Sequence, residues 1–221
     1  MNTSAYIAVV DPAVHKPELE CLNQMTRWTK LPLSYHLPKI LGTHTLTRLP
    51  YPPAAIVILG SASSVNDGFD WQKEMNAWLL PMMNVGIPTL GLCYGHQLIC
   101  HLYGSKVGYL NPQKEKLRGI REVVLKKNAL WGAAKSAPLV VTHCEVVEKC
   151  PEDFDIVGTS REGPIDAVAH RSLPIWGFQP HPEATPHFFN PKPGERVFTS
   201  QELEPGHRIL QAFFEYVAER E

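Results

Sequence analysis

The sequence predicts an α/β fold, with a mostly parallel central sheet carrying helices on both faces. Three observations carry that expectation. The runs AYIAVV (5–10), AAIVIL (54–59) and IPTLGLC (87–93) are almost continuously apolar, as strands covered on both faces are. Longer segments of helical periodicity separate the later runs, and strand–helix–strand succession implies parallel neighbours. The 221 residues are 44% hydrophobic and 19% charged, enough for one large core, so a single domain over 1–221 is expected.

Each element has its own local argument. The first run stops at Asp11 and follows no basic segment, so it reads as a strand rather than a secretory leader. After the second run, Trp71, Met75, Trp78, Leu79 and Met82 share one helical face, with Asp70 as the expected N-cap and Pro81 as the expected end or kink. The third run leads directly into a helical pattern over 94–103. REVVLK (121–126), PLVVT (138–142), IDAVAH (165–170) and LPIWGFQ (173–179) follow as strands close enough together to pair partly antiparallel. Ile209, Leu210, Phe213, Phe214 and Val217 form the stripe of a last helix that closes over the sheet. Prolines gather at 50–53 and 180–193, where they stiffen loops.

Composition removes several classes of function. A net charge of −1 lacks the basic excess of a phosphate-backbone binder, so no nucleic-acid partner is expected. The richest basic stretch, KEKLRGIREVVLKK (114–127), reads as a solvated rim. No apolar run approaches the ~20 residues of a membrane helix, so no membrane partner is expected. Cys21, Cys93, Cys100, Cys144 and Cys150 form no CxxC pair, which suits a reducing cytoplasm. His143, Cys144 and His181 are too irregularly spaced for a metal site. Neither G-x-x-x-x-G-K-[ST] nor G-x-G-x-x-G occurs, so no nucleotide cofactor is expected.

Chemistry concentrates at Gly91-Leu92-Cys93-Tyr94-Gly95, a G-x-C-x-G corner between a buried-type strand and a helix. This is the thiol form of a nucleophile elbow: the glycines clear space for a sharp turn that exposes the sulfur. The free N–H groups at the helix start stabilise a thiolate, and the N–H of Tyr94 is aimed at a developing oxyanion. A thiolate that cleaves amides needs an imidazole to protonate the leaving group, and a carboxylate to orient that imidazole. Of ten histidines, His96 and His101 lie along the helix after the elbow, and His143 and His170 lie at strand ends. His181 stands out in GFQPHPE (177–183): prolines flank it, and Glu183, two residues on, points to the same side of an extended segment.

GLCYGHQ and GFQPHPE together resemble the class I, triad-type glutamine amidotransferases, most of all the glutaminase domain of GMP synthetase. The resemblance spans most of the chain and is most specific between Ala54 and Glu183. It implies a flavodoxin-like three-layer sandwich with Cys93, His181 and Glu183 as the triad, and no metal or cofactor. It also implies a second oxyanion donor from the turn at Gly60 and Ser61, although Ser61 and Ala62 replace the usual Gly-Pro. Thr142, Cys144 and Glu145 fall on the loop that contacts the substrate's amino and carboxylate groups in relatives, and Gln97 falls on a further substrate-contacting position.

The expected substrate is glutamine or another γ-glutamyl compound. Three functions fit these residues. One is a glutaminase that releases ammonia, for use by an ammonia-accepting synthase subunit. The second is a γ-glutamyl peptidase or hydrolase with the same triad, and the third an inactive binding or regulatory module. Two stretches, 36–53 and 184–207, are longer than plain connections and read as lid, docking surface or surface excursion.

Overall fold

The computed structural model describes residues 5–189, 191 and 196–220. The central sheet runs β2-β1-β3-β4-β11-β10-β9-β6-β7. Its parallel part comprises β2 (Leu33–His36), β1 (Ile7–Val10), β3 (Ala55–Ile58), β4 (Thr89–Leu92) and β11 (Ile175–Phe178). Beyond β11 the pairing turns antiparallel through β10 (Ala167–His170), β9 (Phe154–Thr159), β6 (Leu117–Leu125) and β7 (Lys135–His143). A separate small ribbon pairs β5 (Val107–Tyr109) with β8 (Glu145–Val147).

Strand alternation splits the core into two layers. Ile7, Val9, Val57, Leu90, Leu92 and Phe178 face one side, where α1 (Leu19–Met25) and α6 (Ser200–Ala218) cover them. Ala8, Val10, Ile56 and Ile58 face the other, under α4 (Asp70–Asn84) and α5 (Tyr94–Leu102). Continuous apolar runs therefore mark two-sided burial, as expected. The predicted stripe of α6 is buried in full, and Thr199 and Glu202 close its start as a capping box. No helix among the described residues is long and apolar enough to cross a membrane.

Several boundaries differ from expectation. Phe69, not Asp70, caps α4: Gln72 Oε1 reaches back to accept the Phe69 N–H at 3.0 Å, while Asp70 is helical and pairs with Lys73. Pro81 does not end the helix, which runs on to Asn84. It stands in the last turns, where the buried Leu79 and Met83 keep the segment on the sheet. The stretch 36–53 contains α2 (Pro38–Leu41), directly after β2, and α3 (His44–Thr47), and both pack on α4. Arg121 is no part of a solvated rim: it is buried against Asp166 as an ion pair.

His96 is enclosed between α5 and β11, so close that a Cβ on Gly177 would lie 2.7 Å from its Nδ1. Burial, helped by His143, pushes the ring down to about 3, so it folds neutral. A histidine lowered in this way contributes stability above the unfolded value near 6.5 that is lost as pH falls toward 3. From pH 7 to pH 5 the wild type should therefore lose about 2 kcal/mol relative to His96→Asn. Urea unfolding of both proteins at the two pH values measures the gap, and an unchanged gap would mean the ring is charged when folded.

Candidate functional site

Four loops at the carboxyl ends of parallel strands, those after β1, β3, β4 and β11, surround one cavity of about 390 Å³. That is where ligands sit in open sheets of this kind. Cys93 is the single residue between β4 and α5, at φ 50° and ψ −99°. Such a backbone is held at a cost of order 1–3 kcal/mol. The flanking glycines explain why the corner closes. A Cβ on Gly91 would lie 2.4 Å from the Gly95 carbonyl oxygen, and one on Gly95 would lie 2.3 Å from that of Ile58. Helix α5 therefore rests directly on the strand backbones.

The Cys93 N–H donates to the Phe178 carbonyl at 2.7 Å. Its sulfur receives the Gln179 Nε2–H at 3.6 Å and lies 3.9 Å from the Thr142 carbonyl. The Tyr94 N–H opens the helix and has no acceptor within it. The Tyr94 ring turns inward, where its hydroxyl accepts from Gln72 Nε2 at 3.0 Å.

His181 and Glu183 follow β11 and reach the same cavity. The Nδ1 of His181 is 2.8 Å from Glu183 Oε1, and both side chains are buried. The His181 N–H donates to the Val140 carbonyl at 2.7 Å, so β7 fixes the backbone that carries the ring. Burial alone would push the imidazole down, but the Glu183 carboxylate and the Cys93 sulfur outweigh it and hold the ring well above the ordinary histidine value. Gly60 touches both groups: a Cβ there would meet His181 Cε1 at 3.0 Å and Cys93 Cβ at 3.7 Å.

Of the residues singled out in the sequence, Cys93, His181, Glu183, Gly60, Ser61 and Thr142 share the cavity wall. Ser61 Oγ donates to the Pro12 carbonyl at 2.6 Å and accepts the Ser63 N–H at 3.0 Å, so its side chain braces the turn. Gln97, Cys144 and Glu145 stand behind the wall. Gln97 is buried and donates to the Glu145 carbonyl at 2.8 Å and to Gln179 Oε1 at 3.1 Å. The Cys144 carbonyl accepts from Leu110, and the Glu145 carboxylate accepts from Ser64 Oγ at 2.9 Å. His143, the last residue of β7, is buried with Nδ1 3.1 Å from the Glu145 carbonyl, and His170 meets Phe154 edge to face, clear of the cavity.

Other cavity residues carried no pattern in the sequence. Asp11 accepts N–H groups from Ala13 and Glu18, each at 2.9 Å, and the Tyr35 hydroxyl. Burial, then Glu183 and Asp11, pushes the Glu18 carboxyl up to about 7. Lys116 and Arg118 reach the cavity from the start of β6, although the stretch reads as a plain rim. Phe188 and Phe189 also line it, and the Phe188 ring lies 4.7 Å from that of His181. They belong to the stretch 184–207, of which residues 190 and 192–195 lie outside the described residues.

Residues 34–200 match the family model described as glutamine amidotransferase class-I. The chain belongs to this family. A GMP synthase [glutamine-hydrolyzing] from Aquifex aeolicus is 34% identical over 102 residues, which are 46% of this chain and 20% of the relative. One of the subunits of GMP synthase [glutamine-hydrolyzing] from Pyrococcus abyssi is 30% identical over 132 residues, 59% of this chain and 66% of the relative. The aligned part is thus about a fifth of the first and just under two thirds of the second. In fold, a glutamine amidotransferase from Thermotoga maritima superposes with a TM-score of 0.69 at 16% identity, covering 99% of this chain and 98% of its own.

In this class-I amidotransferase the elbow depends on Gly95 bearing no side chain. Gly95→Ala should lower stability by roughly 1–3 kcal/mol, because backbone must shift to admit the methyl group. A urea midpoint equal to that of the wild type would show that α5 is not seated on β3.

Proposed function

We propose that the chain hydrolyses the side-chain amide of glutamine to glutamate and ammonia, through a thioester on Cys93. The observation that carries this reading is the shared wall: a strained cysteine at a helix start, facing the cavity lined by a buried, hydrogen-bonded His181–Glu183 pair. The Cys93 thiolate attacks the amide carbon. The N–H groups of Tyr94 and Ser61, with Gly60 shaping the turn, take the developing oxyanion. His181 gives its proton to the departing nitrogen and then takes one from water, which displaces the sulfur and frees glutamate. Glu183 holds the imidazole in the required orientation and favours its charged form.

The Thr142 backbone, at the end of β7, faces the substrate, while Gln97, Cys144 and Glu145 brace the step from β7 to β8 behind it. The reaction as written uses no metal and no nucleotide. A synthase subunit that consumes the ammonia is the implied partner, and the relatives named as separate subunits of GMP synthase support it.

Ammonia release from glutamine tests this directly. Cys93→Ala should release none, His181→Asn should fall by about 10⁴-fold or more, and Glu183→Gln should be slowed but active. A chloroketone analogue of glutamine should alkylate Cys93 alone. Wild-type activity in His181→Asn would show that another group is the base, and absent turnover with no alkylation would leave an idle binding module.

A further inference from the structure

We propose that the cavity takes γ-glutamyl amides whose amine half carries a carboxylate, γ-glutamyl amino acids in the first instance, with Lys116 and Arg118 receiving that carboxylate. The inference rests on the thioester chemistry proposed for Cys93 and names its substrate class.

Space is the first argument. When glutamine is cleaved the leaving group is ammonia, which needs no room of its own. The cavity beside Cys93, about 390 Å³, instead falls in the range of sites that hold whole drug-sized molecules. The second argument is the order of charge across the sheet. Asp11 and Glu18 follow β1, Cys93 follows β4, His181 follows β11, and Lys116 and Arg118 stand at the start of β6. The nucleophile and its base thus lie between the loop after β1, which brings His15 and Lys16 to the wall along with Asp11 and Glu18, and the cations Lys116 and Arg118 on the other side.

The basic flank is available to a ligand. Lys116 has no hydrogen bond or ion pair among the described residues, and it stands just before β6 and lines the same cavity as Arg118. Arg118 is held in place by Phe189: its Nη2–H donates to the Phe189 carbonyl at 2.9 Å, and its guanidinium lies 4.1 Å over the Phe189 ring. Its remaining N–H groups have no partner among the described residues. A fixed guanidinium beside a mobile ammonium suits a carboxylate. Ammonia, the leaving group of glutamine, offers them nothing to bind. Phe188 and Phe189 supply an apolar wall for the side chain of the leaving amino acid.

The bonds balance without any further reagent. The C–S bond of the thioester forms as the C–N bond breaks, and the proton of His181 goes to the departing nitrogen. Water then replaces sulfur, so that the γ-glutamyl amino acid and one water yield glutamate and a free amino acid.

The test compares glutamine, γ-glutamylglycine and γ-glutamylethylamide on the purified full chain, following ammonia and free amine separately. Glycine and ethylamine are close in size, and only glycine carries the carboxylate. The ratio of kcat/KM for γ-glutamylglycine to that for γ-glutamylethylamide should be about tenfold or more. It should fall several-fold in Lys116→Ala and in Arg118→Ala, and also on raising the salt concentration. Glutamine turnover with both amides untouched, a ratio near one, or variants that slow both amides equally would overturn this inference and leave the glutaminase standing. No turnover of any of the three, together with no alkylation of Cys93 by the chloroketone, would overturn both.

Discussion

The Cys93 N–H bond to the Phe178 carbonyl, 2.7 Å long, continues the parallel pairing of β4 with β11 by one step beyond the last regular pair, Leu92 with Phe178. That register brings two segments far apart in the chain to one level above the sheet. Cys93 turns away into α5, while the partner strand runs on through Gln179 to His181 and Glu183. A slip of one residue would exchange the faces of every side chain on one strand and separate sulfur from imidazole. Gly91 and Gly177 sit opposite each other at this level, and both lack a Cβ where α5 passes over them.

The same corner concentrates buried charge. Asp11, Glu18, His181 and Glu183 line one cavity together with the exposed His15, and the buried ones among them lose hydration and survive only through partners. Asp11 has two backbone N–H groups and a tyrosine hydroxyl, and His181 has Glu183. Burial nevertheless shows in Glu18, whose carboxyl is pushed up to about 7. The strained backbone of Cys93 adds to the cost, and the two apolar layers on either side of the sheet supply what offsets it. Perturbed ionisation and strain gathered in a cleft are the physical marks of a reactive site.

Around this centre the framing residues divide into walls and braces. Ser61 Oγ ties the turn after β3 to the loop after β1, and Gln97 ties α5 to the start of β8. Gln179 connects the two systems, touching the sulfur on one side and Gln97 on the other. A residue type associated with substrate contact can thus serve by holding a neighbour in place, and Gln97 does so here.

The sequence by itself determined the features whose causes are local. The corner at Cys93 folds the Gly95 carbonyl over Gly91, a local approach that leaves no room for a Cβ at 91, and two-sided burial makes β1, β3 and β4 continuously apolar. The pairing of His181 with Glu183 was legible from their spacing, but a turn closed by the Ala184 N–H on the His181 carbonyl at 3.2 Å brings them together, not the extended backbone expected. The sequence did not reveal β2, β5, β8 and β9, which are short or half-exposed and carry no strong period, nor the start of α4, where Gln72 reaches back to Phe69. Only the tertiary structure decided that Glu18, Lys116, Arg118 and Phe188 line the cavity that Cys93 opens onto and that Gln97 and Glu145 stand behind its wall. Their roles come from the meeting of segments distant in the chain, and strand register and layer packing, not neighbouring residues, set where those segments meet.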